Sequence, residues 1–386
     1  MSSLSNFVKR LRDIMRNDAG INGDAQRIEQ IAWLLFLKVY DSKEEDWEFD
    51  DDEYESIIPD DCRWRNWAVD DGKGTAITGD DLLDFVNNRL FPTLKGLEIS
   101  KSTPIKKAIV KTTFEDTNNY MKDGVLLRQV VNVIDSIDFS DYKERHAFGE
   151  IYETILKELQ SAGSAGEFYT PRAVTDFMAQ VIKPKIGEVM ADFACGTGGF
   201  LVATLGHMLK KFREEQDTKP GQESTTEFLS VHERLKEYAS NMVFGADFDP
   251  FLIRASQMNM VMAGDGRGHL YHINSLEFPG GHLPQVKDAK KDLLPFGSFD
   301  VVMTNPPFGS DIPITEKNIL QNFELAHNWE PDGEGGFRNT GVLKSSVAPE
   351  ILFIERCLKW IKPGTGRMGI VLPDGILGNP AAEYIR

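Results

Sequence analysis

The chain has 386 residues, with 43 Lys+Arg against 60 Asp+Glu, a formal charge of −17, and 41% hydrophobic and 27% charged residues. This mix excludes a collagen-like, low-complexity or wholly disordered chain, and the length calls for two domains or more. No run of 18 apolar residues offers a membrane span, and the amphipathic N-terminus has no signal-peptide core, so a soluble cytoplasmic protein is expected. The three cysteines, Cys62, Cys195 and Cys357, make neither a disulfide framework nor a zinc-ligand spacing, and the histidines show no metal spacing, so no metal is expected. The acidic balance argues against a stand-alone binder of nucleic acid, which would present a basic face.

Residues 1–160 read as an all-α domain. Phe7, Leu11, Ile14 and Met15 recur at helical spacing, as do Ile28, Ile31, Leu35 and Val39, with Asp24 a candidate cap for the second helix. Further helices are expected at Leu82–Leu90, Leu126–Ile134 and along the apolar stripe Phe148 to Leu159. Between the second and third helices lies an acidic insertion, 41–61, holding twelve Asp/Glu and one Lys. A like-charged run of this kind reads as a solvated, self-repelling loop, although Trp47, Phe49 and Tyr54 leave a partner-docking surface open. The rest of the chain has a net charge of only −6.

The junction Ser161–Val174 reads SAGSAGEFYTPRAV. Two glycines make a flexible turn, and Thr170 can cap the helix that Pro171 opens. Phe168 and Tyr169 can turn ring faces to a cationic ligand, and groups around Thr170 can hold a carboxylate.

From Val189 onward the rhythm changes. Short apolar runs at Val189–Ala194, Met242–Asp247, Leu270–Ile273, Phe299–Thr304 and Met368–Leu372 alternate with helical stretches at Phe200–Arg213, Phe251–Ala263 and Pro349–Ile361. This alternation predicts a parallel sheet covered by helices, with ligands at the carboxyl ends of the strands near the topological switch point.

After the first predicted strand comes ADFACGTGGFL. Its glycines permit positive φ and close backbone approach to a ligand, but Leu201 stands where a dinucleotide fold needs glycine, and no Walker lysine follows. The turn suits S-adenosylmethionine instead. The candidate contacts are Asp192, facing the ligand's ammonium group, with Ala194, Gly196, Thr197, Gly198, Gly199 and Phe200 around it. After the second strand, Asp247 (with Asp249 as second choice) is placed to bind ribose hydroxyls, and Phe248 to pack on adenine. Asn274 and Ser275, after the third, are candidates for the adenine edge.

After the fourth strand comes FDVVMTNPPFG. Two prolines end the strand and stiffen the turn, so that the Asn305 amide and the Pro306 carbonyl can act as convergent acceptors, with Pro307 and the ring of Phe308 beside them. Methylation of a planar exocyclic amine needs this arrangement. The nitrogen lone pair is delocalised, and two acceptors on its N–H groups favour the pyramidal, developing cation. A base would have to leave its stack to reach such a site. The stretch Gly309–Ala348, rich in Gly, Asn and Asp, is expected to be a long substrate-side lid loop.

GEFYTP, DFACGTGGF, GADFDP and NPPF, in that order, resemble the N6-adenine DNA methyltransferases of the gamma arrangement. The whole chain resembles the modification subunits of type I restriction–modification systems. The resemblance implies an all-α N-terminal domain followed, over 161–386, by a Rossmann-like S-adenosylmethionine-dependent methyltransferase domain. It gives Asn305, Pro306, Pro307 and Phe308 the catalytic role, and adds Glu167, Phe168, Tyr169, Thr170 and Pro171 to the cofactor site alongside Thr197, Gly198, Gly199 and Asp247. It implies DNA as substrate, a separate specificity subunit flanked by two modification subunits, and a restriction subunit. Phe193-Ala194-Cys195 departs from the Pro-Ala of many relatives. Relatives continue past the fifth strand, so the domain is expected to be truncated at its C-terminus. Transfer to another amine (cytosine N4, rRNA or protein glutamine) and a non-catalytic cofactor-binding subunit remain open at this point. A nicotinamide oxidoreductase is disfavoured by Leu201.

Overall fold

The structure, a computed structural model, describes residues 3–70, 72–99, 105–115, 117–137, 170–217, 231–264, 268–293, 295–309 and 312–386. The chain divides into two compact units, Met1–Gly163 and Ser164–Arg386. The expected helix at Phe148–Leu159 and the junction residues Glu167, Phe168 and Tyr169 lie outside the described residues.

Among the described residues of the first unit are the helices α1 (Ser3–Met15), α2 (Asp24–Asp50), α3 (Ile105–Phe114) and α4 (Gly124–Asp135), with further helical turns over 60–62, 64–67 and 79–95. Asp24 begins α2 rather than capping it, because Gly23 holds the cap position without a side-chain hydrogen bond. Asp123 does cap α4, accepting the amides of Val125 and Leu126 at 2.8 and 3.0 Å. Heptad-like apolar spacing turns Trp33 and Phe36 of α2 inward. Trp33 meets Phe91 edge-on at 5.1 Å, and Phe91 meets Phe114 at 5.3 Å.

The acidic segment is not a solvated loop throughout. Its first ten residues continue α2, and Asp41 and Glu44 are buried. Glu44 accepts the Tyr54 and Ser56 hydroxyls at 2.9 and 2.6 Å, and Arg63 lies 3.5 Å away. Arg65 bonds Asp41 at 3.0 Å and Glu48 at 2.9 Å. The charge run folds because two arginines just beyond it supply cations, while Glu45, Asp51, Asp52 and Glu53 stay exposed.

The second unit carries α5 (Arg172–Ile182), β1 (Met190–Asp192), α6 (Gly199–Asp217), α7 (Val231–Met242), β2 (Val243–Asp247), α8 (Pro250–Gly264), β3 (His269–His272), β4 (Val301–Thr304), β5 (His327–Pro331), β6 (Phe337–Leu343), α9 (Pro349–Trp360) and β7 (Arg367–Ile370). Five strands form a parallel sheet in the order β3-β2-β1-β4-β7. Strand alternation sends Met190, Val301 and Met303 to one face, against Phe200, Leu201 and Leu205 of α6, and Ala191 and Val302 to the other, against Phe353 and Trp360 of α9. The order reverses between β1 and β4, which puts the switch point between the glycine turn and the NPPF turn.

The stretch after the NPPF turn is not a structureless lid loop. Ile314 bridges to Val347, closing the segment on itself, and β5 and β6 form an antiparallel ribbon within it. Burial raises the pKa of all three cysteine thiols, consistent with packing rather than nucleophilic roles.

Candidate active site

The glycine turn is built by close approach. Cys195 N donates to Ala246 O at 2.9 Å, which ties the turn to the neighbouring strand, and Gly198 N donates to Cys195 O at 2.7 Å. Gly198 has φ +84°, and a Cβ there would stand 2.6 Å from Ser256 Oγ on α8. Only glycine fits both the dihedral and the space. Asn259, one turn further along α8 and 8% exposed, donates Nδ2–H to Thr197 O at 2.8 Å. Thr197 and Phe200 are both buried. Phe200, expected at the ligand, instead puts its ring in the core beneath α6, so it serves the turn through its backbone and packing.

Two acids answer to this turn and its neighbours. Asp247 Oδ2 accepts Gly196 N–H at 2.8 Å and Oδ1 accepts Asp249 N–H at 2.9 Å. Both carboxylate oxygens thus hold backbone amides of the turns after β1 and β2. Asp192 is buried, its Oδ1 accepting Ala194 N–H at 3.1 Å. Burial pushes its carboxyl up to about 7, with the Thr304 hydroxyl and the Ala194 amide opposing this and Asp247 adding to it. Phe248, next to Asp247, is 64% exposed, an unusual state for an aromatic ring at a buried strand's end. At the end of β3, Asn274 Oδ1 caps its own turn through Leu276 N at 3.0 Å. The Ser275 hydroxyl is buried and donates to Phe193 O at 2.7 Å, so it links two strand ends rather than facing a base edge.

The NPPF turn leaves β4 directly. Pro306 is buried, and Asn305, Pro307 and Phe308 are half-buried. Thr170 does not cap α5: Pro171 occupies the cap position, and Thr170 Oγ1 accepts Asn305 Nδ2–H at 2.8 Å. This bond joins residues 135 positions apart and brings Thr170 to the NPPF turn. It engages the amide nitrogen and presents Oδ1 as the acceptor. Beyond the turn, Gly309 N donates to Glu350 Oε2 at 3.2 Å. The sequence reading missed Ser256, Asn259 and Glu350. The first two carried a signal, since Ser256, Gln257 and Asn259 set a polar cluster into the largely apolar helix after Asp249. Glu350 gave none, because a first-turn acid reads as an ordinary helix-end charge.

Residues 143–386 match the N-6 DNA Methylase family, and residues 4–134 match the HsdM N-terminal domain. The chain belongs to the N-6 DNA methylase family. Within that family it is 41% identical, over 97% of its length, to the EcoEI type I restriction enzyme methylase subunit of Escherichia coli. It spans 66% of that subunit, and 54% of the StySJI methylase subunit of Salmonella typhimurium, which is 24% identical. Its fold resembles a Vibrio vulnificus crystal structure assigned as a type I modification subunit, with TM-score 0.72 and 32% identity over 99% of this chain and 73% of that one. A chain from an assembled type I restriction–modification system gives TM-score 0.59 and 30% identity over 99% of this chain and 67% of that one.

Proposed function

We propose that this chain is the modification subunit of a type I restriction–modification complex and methylates adenine N6 in DNA. The observation that carries the reading is the Thr170–Asn305 hydrogen bond, which joins the cofactor-side stretch to the NPPF turn at the switch point of the sheet. The family membership and the similarity to type I methylase subunits support it.

The residues fit S-adenosylmethionine. The glycine turn has no side chain at Gly198 and is pressed on α8, Asp247 at the end of β2 offers a carboxylate for ribose hydroxyls, and the exposed Phe248 ring follows it for adenine. By the family resemblance Glu167, Phe168, Tyr169, Thr170 and Pro171 would also contact the cofactor, as would Asp192, Ala194, Gly196, Thr197, Gly198 and Gly199 around the glycine turn. Asn274 is the remaining candidate for the adenine edge. When bound, the cofactor supplies an electrophilic methyl group, which passes to the amine with loss of one N–H proton.

The chain's own contribution is positioning and charge. Asn305 Oδ1 and the Pro306 carbonyl accept the two N–H groups of the extruded adenine amine. They draw the nitrogen towards a tetrahedral shape and stabilise its developing positive charge. The rigid Pro306-Pro307 pair keeps the two acceptors convergent, and Phe308 stacks on the base. No covalent enzyme intermediate is required, in keeping with the buried cysteines.

The body outside 41–61 is close to neutral, which suits a catalytic subunit that takes its DNA grip and target choice from a specificity subunit. Two modification subunits per specificity subunit, together with a restriction subunit, form the proposed assembly in the cytoplasm. The test is transfer from methyl-labelled S-adenosylmethionine to unmodified DNA, with and without the specificity subunit, followed by nucleoside analysis. Label in N6-methyladenine, dependent on the specificity subunit, is expected. Label confined to cytosine, RNA or protein overturns the adenine assignment.

A further inference from the structure

Glu350 is a buried carboxylate that none of the steps above uses. It sits in the first turn of α9 at 6% exposure, and among the described residues no Lys or Arg pairs with it. A carboxyl group buried without a counter-charge has to find hydrogen-bond donors among its neighbours. A first-turn acid that served only the helix end would do so from the surface, in water. This one turns inward, and its Oε2 accepts the amide of Gly309, the residue directly after Phe308, at 3.2 Å.

The need for such an anchor follows from the turn's composition. Pro306 and Pro307 have no backbone N–H, so the stretch that would carry the chemistry cannot be tied down through its own first amides. After Asn305 the next backbone donors are on Phe308 and Gly309. Gly309 has φ +118°, a conformation open to glycine, which aims its N–H towards α9. At its other end the turn is held by β4 and by the Thr170–Asn305 bond. Glu350 supplies the second fixed point, 41 residues further along the chain.

We infer that Glu350 is a positioning residue for the Asn305–Phe308 turn, clamping its C-terminal end so that the two acceptors and the Phe308 ring keep their geometry around the amine. The inference rests on the proposed amino-methyl transfer for its kinetic consequence, while the clamp itself is a property of the fold. It touches no reacting atom, so its loss should lower kcat and leave the KM for S-adenosylmethionine in place. Misplacement of a reacting group by about 1 Å is worth on the order of 10²-fold in rate.

Glu350→Ala and Glu350→Gln, each in the complex with the specificity subunit, are assayed for methyl transfer to unmodified duplex DNA, and amide hydrogen exchange at Gly309 is followed in the same preparations. The alanine variant is expected to lose on the order of 10²-fold in kcat with unchanged KM for the cofactor, and to exchange faster at Gly309. Glutamine, whose amide oxygen still accepts the Gly309 N–H, is expected to recover most of both. Should the alanine variant not fold, Glu350→Asp carries the same test, because it keeps the charge and loses the reach. Wild-type kcat in the alanine variant, unchanged exchange at Gly309, or a glutamine variant no better than alanine overturns the inference. If the wild-type complex transfers no methyl to DNA, it is the proposed function that falls, and exchange at Gly309 still decides whether Glu350 holds the turn.

Discussion

In the helical unit, Asp41, Glu44 and Glu48 gather around the guanidinium groups of Arg63 and Arg65. In the α/β unit, Asp192, Asp247 and Glu350 instead accept backbone N–H groups of the turns that follow β1 and β4. Both arrangements compensate carboxylates removed from water, but they do different work. Pairing with arginine neutralises charge and joins α2 to the segment that follows it. Burial raises the carboxyl pKa of Asp41, opposed chiefly by Arg65, and of Glu44, opposed by Ser56 and Tyr54 and then Arg63. Bonding to an amide supplies no counter-charge but shapes a loop. The first pattern holds a fold together, and the second shapes the turns at the ends of the strands.

The sharpest test of that division is Asn305→Ala. Removing an acceptor aimed at developing charge should cut methyl transfer on the order of 10²- to 10³-fold, while isothermal titration shows cofactor affinity retained. Arg65→Ala should do the reverse. Stranding the buried Asp41 carboxylate should destabilise the helical unit by about 3 kcal/mol in urea unfolding, with methyl transfer per folded molecule unchanged. A catalytic loss there without a stability loss would break the comparison.

Thr170→Val removes the acceptor that orients the Asn305 amide. A lost hydrogen bond of about 1.4 kcal/mol is a tenfold change, so kcat should fall about tenfold, and Thr170→Ser should restore it in a steady-state assay. The smallest effect concerns Asp192. Its carboxyl is raised by burial from 3.8 to about 7, so the native state is favoured while the group is protonated. That contribution is lost as pH climbs from the unfolded value to about 7, and the penalty is constant above. Asp192→Asn should therefore raise the melting temperature of the cofactor-free protein at about pH 8 and change it little at about pH 4. An equal shift at both pH values would place the acid's ionisation outside the folding equilibrium.

Much of the α/β unit was legible because its signals are local. Apolar runs marked each of the five parallel strands to within one or two residues, and the glycines and prolines marked the turns after β1 and β4. The acidic segment misled because like-charge repulsion is a property of the run alone, whereas the cations that fold it, Arg63 and Arg65, stand just outside it. The ribbon of β5 and β6 was hidden by the polar, glycine-rich composition of its connection, which resembles that of a loop. Phe200 and Ser275 lie within one residue of plausible ligand contacts, yet one packs into the core and the other donates to Phe193 O. Adjacency along a chain does not say which way a side chain turns.

Composition, spacing and motif order were enough to place the glycine turn and the NPPF turn at strand ends of one parallel sheet, because each depends on a few contiguous residues and on the alternation of strand and helix. The partners of the functional side chains were beyond their reach. Asp247 with Gly196, Asn259 with Thr197, Thr170 with Asn305, and Gly309 with Glu350 are pairs 41 to 135 residues apart. A hydrogen bond acts over about 3 Å and only in a narrow range of angles, so these pairs exist only once the sheet has set its register and the helices have packed against it.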